Sequence, residues 1–370
     1  MKESNMLKDP RIQKLANTLV NHSVKAKEGE NIVIYGSVKA KPLIIAIFEE
    51  LRAVKANPYI EITDDDFTRE MYLSQTEKSL DVRFRWLENK FRDIDGFISI
   101  RTSESDYTNA DASMQMLDYR KKMQPLQKIR LGKKWVGLHY PTEGGAQKAK
   151  MSYSQYIDYM LDVMNVDYEK MDRDFEPLKN LMLKTNKVRL VSPGTDLRFS
   201  IKDINVIPCA GENNIPDGEI FTAPVKDSVN GTITYNTPSP YRGIVFNDVS
   251  LTFKDGKIVK CTASNDQDKL EEIFDTDEGS RYVGEFAIGV NAKITKPMTN
   301  TLYDEKISGS IHFTPGMAYD DAPNGNDSAI HWDLVLIQTP EYGGGEIYFD
   351  DVLIRKDGLF VIDELKPLNP

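Results

Sequence analysis

The stretch NIVIYGSVKAKPLIIAIFEELRAVKANPYIEI, residues 31–62, decides the fold of the first half of the chain. NIVIYGS (31–37) is a short, β-branched apolar run of the kind that forms a buried strand. KPLIIAIFEELRAVKA (41–56) reads as a helix, and NPYIEI (57–62) returns to a strand. The pattern extends on both sides. DPRIQKLANTLVNHSVKAKEG (9–29) reads as an opening helix, with Pro10 in its first turn and Ile12, Leu15, Leu19 and Val20 along one stripe. Thr63, before Asp64, Asp65 and Asp66, reads as a cap followed by an acidic first turn. DGFISI (95–100) and KWVGLHY (134–140) supply further strands, and helices are predicted around 79–92, 111–124 and 152–183. Strands alternating with helices predict an α/β fold with a mostly parallel sheet.

From about residue 186 the texture changes. VRLVS, TDLRFSI, GTITYN, DVSLTF and KIVKCTA are short, alternating, β-branched runs separated by turn residues. Asp255-Gly256 and Asp357-Gly358 mark two hairpins, and NDQDKLEEIFDT (265–276) reads as a helix between them. The expected organisation is an N-terminal α/β domain, residues 1–185, and a C-terminal β-rich α+β domain, residues 186–370.

Composition bounds the function. The 370 residues are 40% hydrophobic and 28% charged, enough to bury a sizeable core and unlike a disordered or collagenous chain. Cys209 and Cys261, the two cysteines, make neither a disulfide framework nor a four-thiolate zinc site. The first twenty residues lack the features of a signal peptide, and PLIIAIF (42–48) is far too short to span a bilayer. A cytoplasmic protein without a membrane partner is expected. The net charge of −10 is uneven: residues 1–185 carry 30 basic and 28 acidic side chains, residues 186–370 carry 17 and 29. An acidic half is a poor nucleic-acid surface and a host for cations or an amine, although a solubilising surface has the same composition.

Familiar signatures such as HExxH, GxxxxGK[ST], GxSxG and GxGxxG are missing from the sequence. DTDEGS (275–280) begins like a calcium loop, but the later ligand positions do not follow, so it is read as a solvated turn. The basic run RKKMQPLQKIRLGKKW (120–135) stands alone in an acidic chain and is read as a solvated helix end or an inter-subunit contact. His22 and His139 are read as structural or surface residues. His312 and His331 stand in the acidic half. His331 and Asp333 in IHWDLVLI are spaced to share one strand face, opposite Trp332, Leu334 and Leu336. In SIHFT, His312 opposes Ile311 and Phe313. In VGEFAIGVN, Glu285 shares a face with Ala287 and Gly289, small neighbours that leave room, while Phe286 and Ile288 point the other way. Each alone is also what an ordinary half-buried strand looks like; three together point to a metal site.

NIPDGEIFTAP (214–224), VGEFAIGVN (283–291), NTLYDEK (300–306), IHFTPGMAY (311–319) and SAIHWDLV (328–335) resemble, in order, the signatures of the aminopeptidase T/aminopeptidase S family of dinuclear metallopeptidases. YPTEGGAQK (140–148) and GTDLRFSI (194–201) resemble weaker segments of the same family. The resemblance implies metal ligands at Glu219, Glu285, Glu305, His312, His331 and Asp333, a catalytic Tyr319, a peptide substrate with a free N-terminus, and a homodimer. Glu212 and Asp217 lie close enough in sequence to stand in for Glu219.

Two imidazoles and four carboxylates can hold two divalent ions if one carboxylate bridges. Such a pair activates a bridging water and polarises a scissile carbonyl, while the Tyr319 phenol can donate to the developing oxyanion. The donor set suits zinc, cobalt or manganese and admits magnesium. Three other readings stay open at this level. One is a carboxylate-pair hydrolase without metal, against which the strand histidines argue. The others are a metal-dependent amidohydrolase with the same site and a non-catalytic α/β binding protein.

Overall fold

The first sheet is built from β1 (Asn31–Gly36), β2 (Asn57–Ile62), β3 (Gly96–Arg101) and β4 (Lys134–His139), all parallel and in the order β2-β1-β3-β4. A two-residue segment, Asn214–Ile215, joins parallel to β4. The computed structural model describes residues 9–102, 104, 105 and 107–370. Ile32, Ile34, Phe97, Ile98, Val136 and Leu138 are buried along the sheet, and the helix Lys41–Ala53 covers it with Leu43, Ile47 and Leu51. The parallel α/β expectation holds, with local differences. The cap at Thr63 moves to Asp64, whose carboxylate accepts from Asp66 N at 3.0 Å and Phe67 N at 3.1 Å, while Thr63 N donates to Gly36 O. The opening helix is regular over Pro10–Asn17 and continues as wider π-type turns through Ser23. The helix expected over 152–183 is two, Tyr153–Met164 and Tyr168–Met182, separated by the cap Asp167.

The chain divides at Asn165, not at 185: the first unit ends there and recovers Gly211–Pro216, and the second comprises Val166–Ala210 and Asp217–Pro370. The reason is packing. The helix Tyr168–Met182 buries Phe175, Leu178 and Met182 in the core of the second unit, against residues such as Leu190 and Phe199.

The second unit contains a two-stranded ribbon, Ser239–Tyr241 with Ile244–Phe246, and two large antiparallel sheets. One has eight strands, with Lys187–Ser192 and Thr195–Ser200 at its centre and the 250–262 and 352–360 hairpins at its ends. Both hairpins turn at the predicted Asp-Gly pairs, with φ of 48° and 83° at Asp255 and Gly256 and 51° and 83° at Asp357 and Gly358. The other sheet carries Glu219, Glu285 and His312, three of the candidate site residues. It comprises β5 (Ile207–Cys209), β6 (Glu219–Thr222), β7 (Val283–Gly289), β8 (Ser310–Pro315) and β9 (Val335–Ile337), in the order β9-β8-β7-β6-β5. Phe286, Ile288, Ile311 and Phe313 turn one face of this sheet into the core. There Phe199 meets Phe286 and Phe313, each at 5.0 Å between ring centroids. Every residue of β7 is buried, so the polar face is covered as completely as the apolar one.

Candidate metal centre

Alternation along β7 and β8 places Glu285 and His312 on the face opposite the phenylalanines. Register does the rest: Ala287 pairs with His312 and Gly289 with Glu219, so three adjacent strands present Glu219, Glu285 and His312 side by side across two small residues. The smallness of Gly289 is required, since a Cβ there would stand 2.6 Å from Ile307 O and 2.7 Å from Ser310 Oγ. His331 and Asp333 come from an extended segment along β8, held by an isolated bridge from His331 to Gly316 and by Trp332 N donating to Pro315 O at 3.2 Å. Regular pairing resumes only at Val335, so the strand expected through IHWDLVLI is interrupted at the site, although Trp332, Leu334 and Leu336 do enter the core.

Glu285 is the central group. Its Oε1 lies 3.0 Å from His312 Nε2 and its Oε2 lies 3.3 Å from His331 Nε2. Glu219 Oε2 stands 3.4 Å from His312 Nε2, and Asp333 Oδ1 stands 3.3 Å from His331 Nε2. Two ligand-like triads result, Glu219–Glu285–His312 and Glu285–His331–Asp333, each with its atoms within 4.8 Å of one another. Both imidazoles are oriented from behind. His312 Nδ1 donates to Glu305 O at 3.1 Å and His331 Nδ1 to Met317 O at 2.8 Å, which leaves both Nε2 atoms facing the carboxylates.

Glu305 joins neither triad directly. It follows the short helix Thr301–Asp304, and its carboxylate contacts the Lys306 ammonium, which also lies 3.4 Å from Glu219 Oε1. Tyr319 stands on a loop, 43% exposed, its ring 4.5 Å from that of His331 and 5.8 Å from that of Phe221. Asp217 is buried beside Glu219 and forms a further group with it and Cys209, which Glu212 does not join. Sequence reasoning missed Lys306 and Thr314. Thr314 Oγ1 donates to Asp333 Oδ1 at 2.8 Å, and alternation from His312 would have placed it on this face. Lys306 gave no signal beyond its place next to Glu305.

The charges press hard on one another. Burial pushes the Glu219 carboxyl up to about 8, with Lys306 pulling the other way. Burial would lower His312, but Glu219 and Glu285 push it up to about 10. Burial would raise Asp333, yet His331 holds it well below the usual carboxylate range. Burial and then Asp333, Glu285, Glu305 and Glu219 raise the Tyr319 phenol above its ordinary value. Glu219 Oε2 and Glu285 Oε2 are buried and accept no hydrogen bond. Buried carboxylate oxygens without donors, aimed at imidazole nitrogens fixed from behind, fit a divalent cation in each triad.

Residues 8–346 match the thermophilic metalloprotease (M29) family. The chain belongs to that family. Membership makes it a metal-dependent peptide hydrolase. Aminopeptidase 2 of Geobacillus stearothermophilus is 24% identical to this M29 chain over 94% of each protein. The solved structure of wild-type AmpT from Thermus thermophilus superposes with a TM-score of 0.81 over 95% of this chain and 99% of that one, at 18% identity. A 2,5-dihydroxypyridine dioxygenase from Pseudomonas putida KT2440 shares the fold at a TM-score of 0.61 and 14% identity, over 96% of this chain and 98% of that one. One architecture thus supports more than one chemistry, and the function rests on the site.

Proposed function

We propose that this M29 protein is an aminopeptidase that removes N-terminal residues from peptides, using two divalent ions held by Glu219, Glu285, His312, His331 and Asp333, with Glu305, the sixth ligand the resemblance implies, beside them on Lys306. The carrying observation is that Glu285 belongs to both triads, directing one oxygen toward each histidine. A carboxylate so placed would serve both ions of a two-ion centre. The name carried by the full-length relative, an aminopeptidase, supports the choice of substrate end. Bound there, such ions would activate a water and polarise the scissile carbonyl.

The chain's own residues do the remaining work. Thr314 fixes the Asp333 carboxylate, and the carbonyls of Glu305 and Met317 fix the tautomer and tilt of His312 and His331. The Tyr319 phenol, protonated because its pKa is raised, donates to the substrate oxygen as negative charge gathers on it. The acidic surroundings suit an ammonium at the substrate N-terminus. The reading includes a cytoplasmic homodimer. Among the described residues no helix is long and apolar enough to cross a membrane.

The test is metal analysis joined to an assay on free and N-acetylated forms of one leucyl peptide. About two ions per chain, cleavage of the free peptide alone, and loss of activity on chelation are expected. Equal cleavage of the acetylated peptide would instead make the enzyme indifferent to the amine, and metal-independent cleavage would remove the centre from the reaction. Sedimentation of the purified protein tests the dimer.

A further inference from the structure

Lys306 is wholly buried, and its ammonium pairs with Glu219 and Glu305. Its placement is asymmetric. It engages Oε1 of Glu219, while Oε2 of the same carboxylate faces His312 Nε2. The lysine therefore engages the Glu219 oxygen other than the one that faces His312. The other triad takes no ion pair from it: Asp333 is bonded by Thr314 and faces His331, and both oxygens of Glu285 face histidines. One triad thus has a positive charge paired to one of its carboxylates, and the other does not.

We propose that Lys306 makes the two metal positions unequal, weakening the position formed by Glu219, Glu285 and His312 so that the position formed by Glu285, His331 and Asp333 fills first. The proposal rests on the two-ion reading given above. A unit charge a few ångströms from a dication, in a buried setting, changes affinity by well over about tenfold. The lysine also accounts for how the metal-free protein tolerates Glu219 and Glu305 side by side in its interior: it neutralises one of their two charges. Its role is therefore to hold the empty site together and to set the loading order, without contact to the substrate.

The experiment is titration of metal-free protein with Co²⁺, followed by visible absorption and calorimetry. Wild type should bind two equivalents in separate steps, the first at least about tenfold tighter. Glu219→Gln should keep the first step and lose or greatly weaken the second. Lys306→Gln, which retains an N–H donor but removes the charge, should tighten the second step about tenfold or more and bring the steps together; Lys306→Met should do the same if it folds. Two equivalents bound with one affinity by wild type would overturn the proposal. A second step weakened in Lys306→Gln would also overturn it, making the lysine a strut for Glu219. Uptake of fewer than two equivalents by wild type would instead bring down the two-ion reading, and the proposal with it.

Discussion

Replacing Tyr319 by Phe separates holding metal from doing chemistry. The tyrosine ring lies 4.5 Å from that of His331, tilted by 45°, and meets Phe221 edge-on at 5.8 Å. Phenylalanine keeps both contacts, so the support of His331 survives and one O–H is removed. That donor acts on a charge present mainly in the transition state, and losing one such donor costs about 10²–10³ in turnover, or ~2.7–4 kcal/mol. KM should change little, because the missing bond is not made to the ground state. Metal content should be unchanged, since the hydroxyl is not a ligand. Burial and the neighbouring acids hold the phenol above its ordinary pKa of 10.0. It therefore stays protonated through neutral and mildly alkaline pH, and its loss should lower the whole kcat–pH profile without moving either limb. The assay is hydrolysis of a leucyl anilide between pH 6 and 9, with metal quantified on the same samples. Near-normal turnover in a fully metallated Tyr319→Phe protein would refute the role, and loss of metal would recast Tyr319 as a support for His331.

Gly289→Ala places a methyl against Ile307 O and Ser310 Oγ at 2.6 and 2.7 Å, so it should push back the segment carrying Glu305, lowering metal affinity in calorimetry before it lowers thermal stability. Phe313→Ala, which removes a wholly buried ring from contact with Phe199, Phe253 and Phe286, should cost about 3–5 kcal/mol in urea unfolding of the metal-free protein. Asp277 caps the Glu278–Arg281 turn and clasps Ser328 and Ala329; burial would raise its carboxyl, but bonds from Ala329 N, Ser328 and Ser280 outweigh it and hold the pKa at about 2. Because that value is depressed, its stabilisation is complete above the usual 3.8 and fades as pH falls toward 2, so Asp277→Ala should cost about 1–2 kcal/mol at pH 7 and much less near pH 2.

Legibility in the sequence followed physical scale. Strict alternation in VGEFAIG and SIHFT carried enough information to separate Phe286 and Phe313 from Glu285 and His312, because a two-residue period has no other interpretation on a strand. The Asp-Gly hairpins were legible for a similar reason, since few residues accept positive φ in succession. The true division at Asn165 was not, because the amphipathic pattern of Tyr168–Met182 shows which face is buried and says nothing about which sheet buries it. The return of Asn214–Ile215 to the first sheet rests on two residues, below the length at which any periodicity exists. Asp64 displaced Thr63 as a cap because the helix starts at Asp65, so Asp64 stands next to its first turn and its carboxylate reaches Asp66 N and Phe67 N. Lys306 escaped notice because charged residues are read as exposed unless a partner is known, and its partners come from β6 and from the turn before β8.

The double burial of β7 gives the protein an internal reporter. Backbone amides of Phe286 to Ile288 are hydrogen-bonded to strands on both sides, with core on one face and the candidate centre on the other. Their protons reach solvent only when the second unit opens broadly, which places them at the slow end of hydrogen exchange. Anything that binds the polar face of the native state and not the unfolded chain stabilises it against that opening by RT ln(1 + [L]/Kd), so exchange slows as free ligand rises above its Kd. Deuterium uptake by one short peptic fragment would then report the strength of ion binding from the side of the strand that never touches the ions.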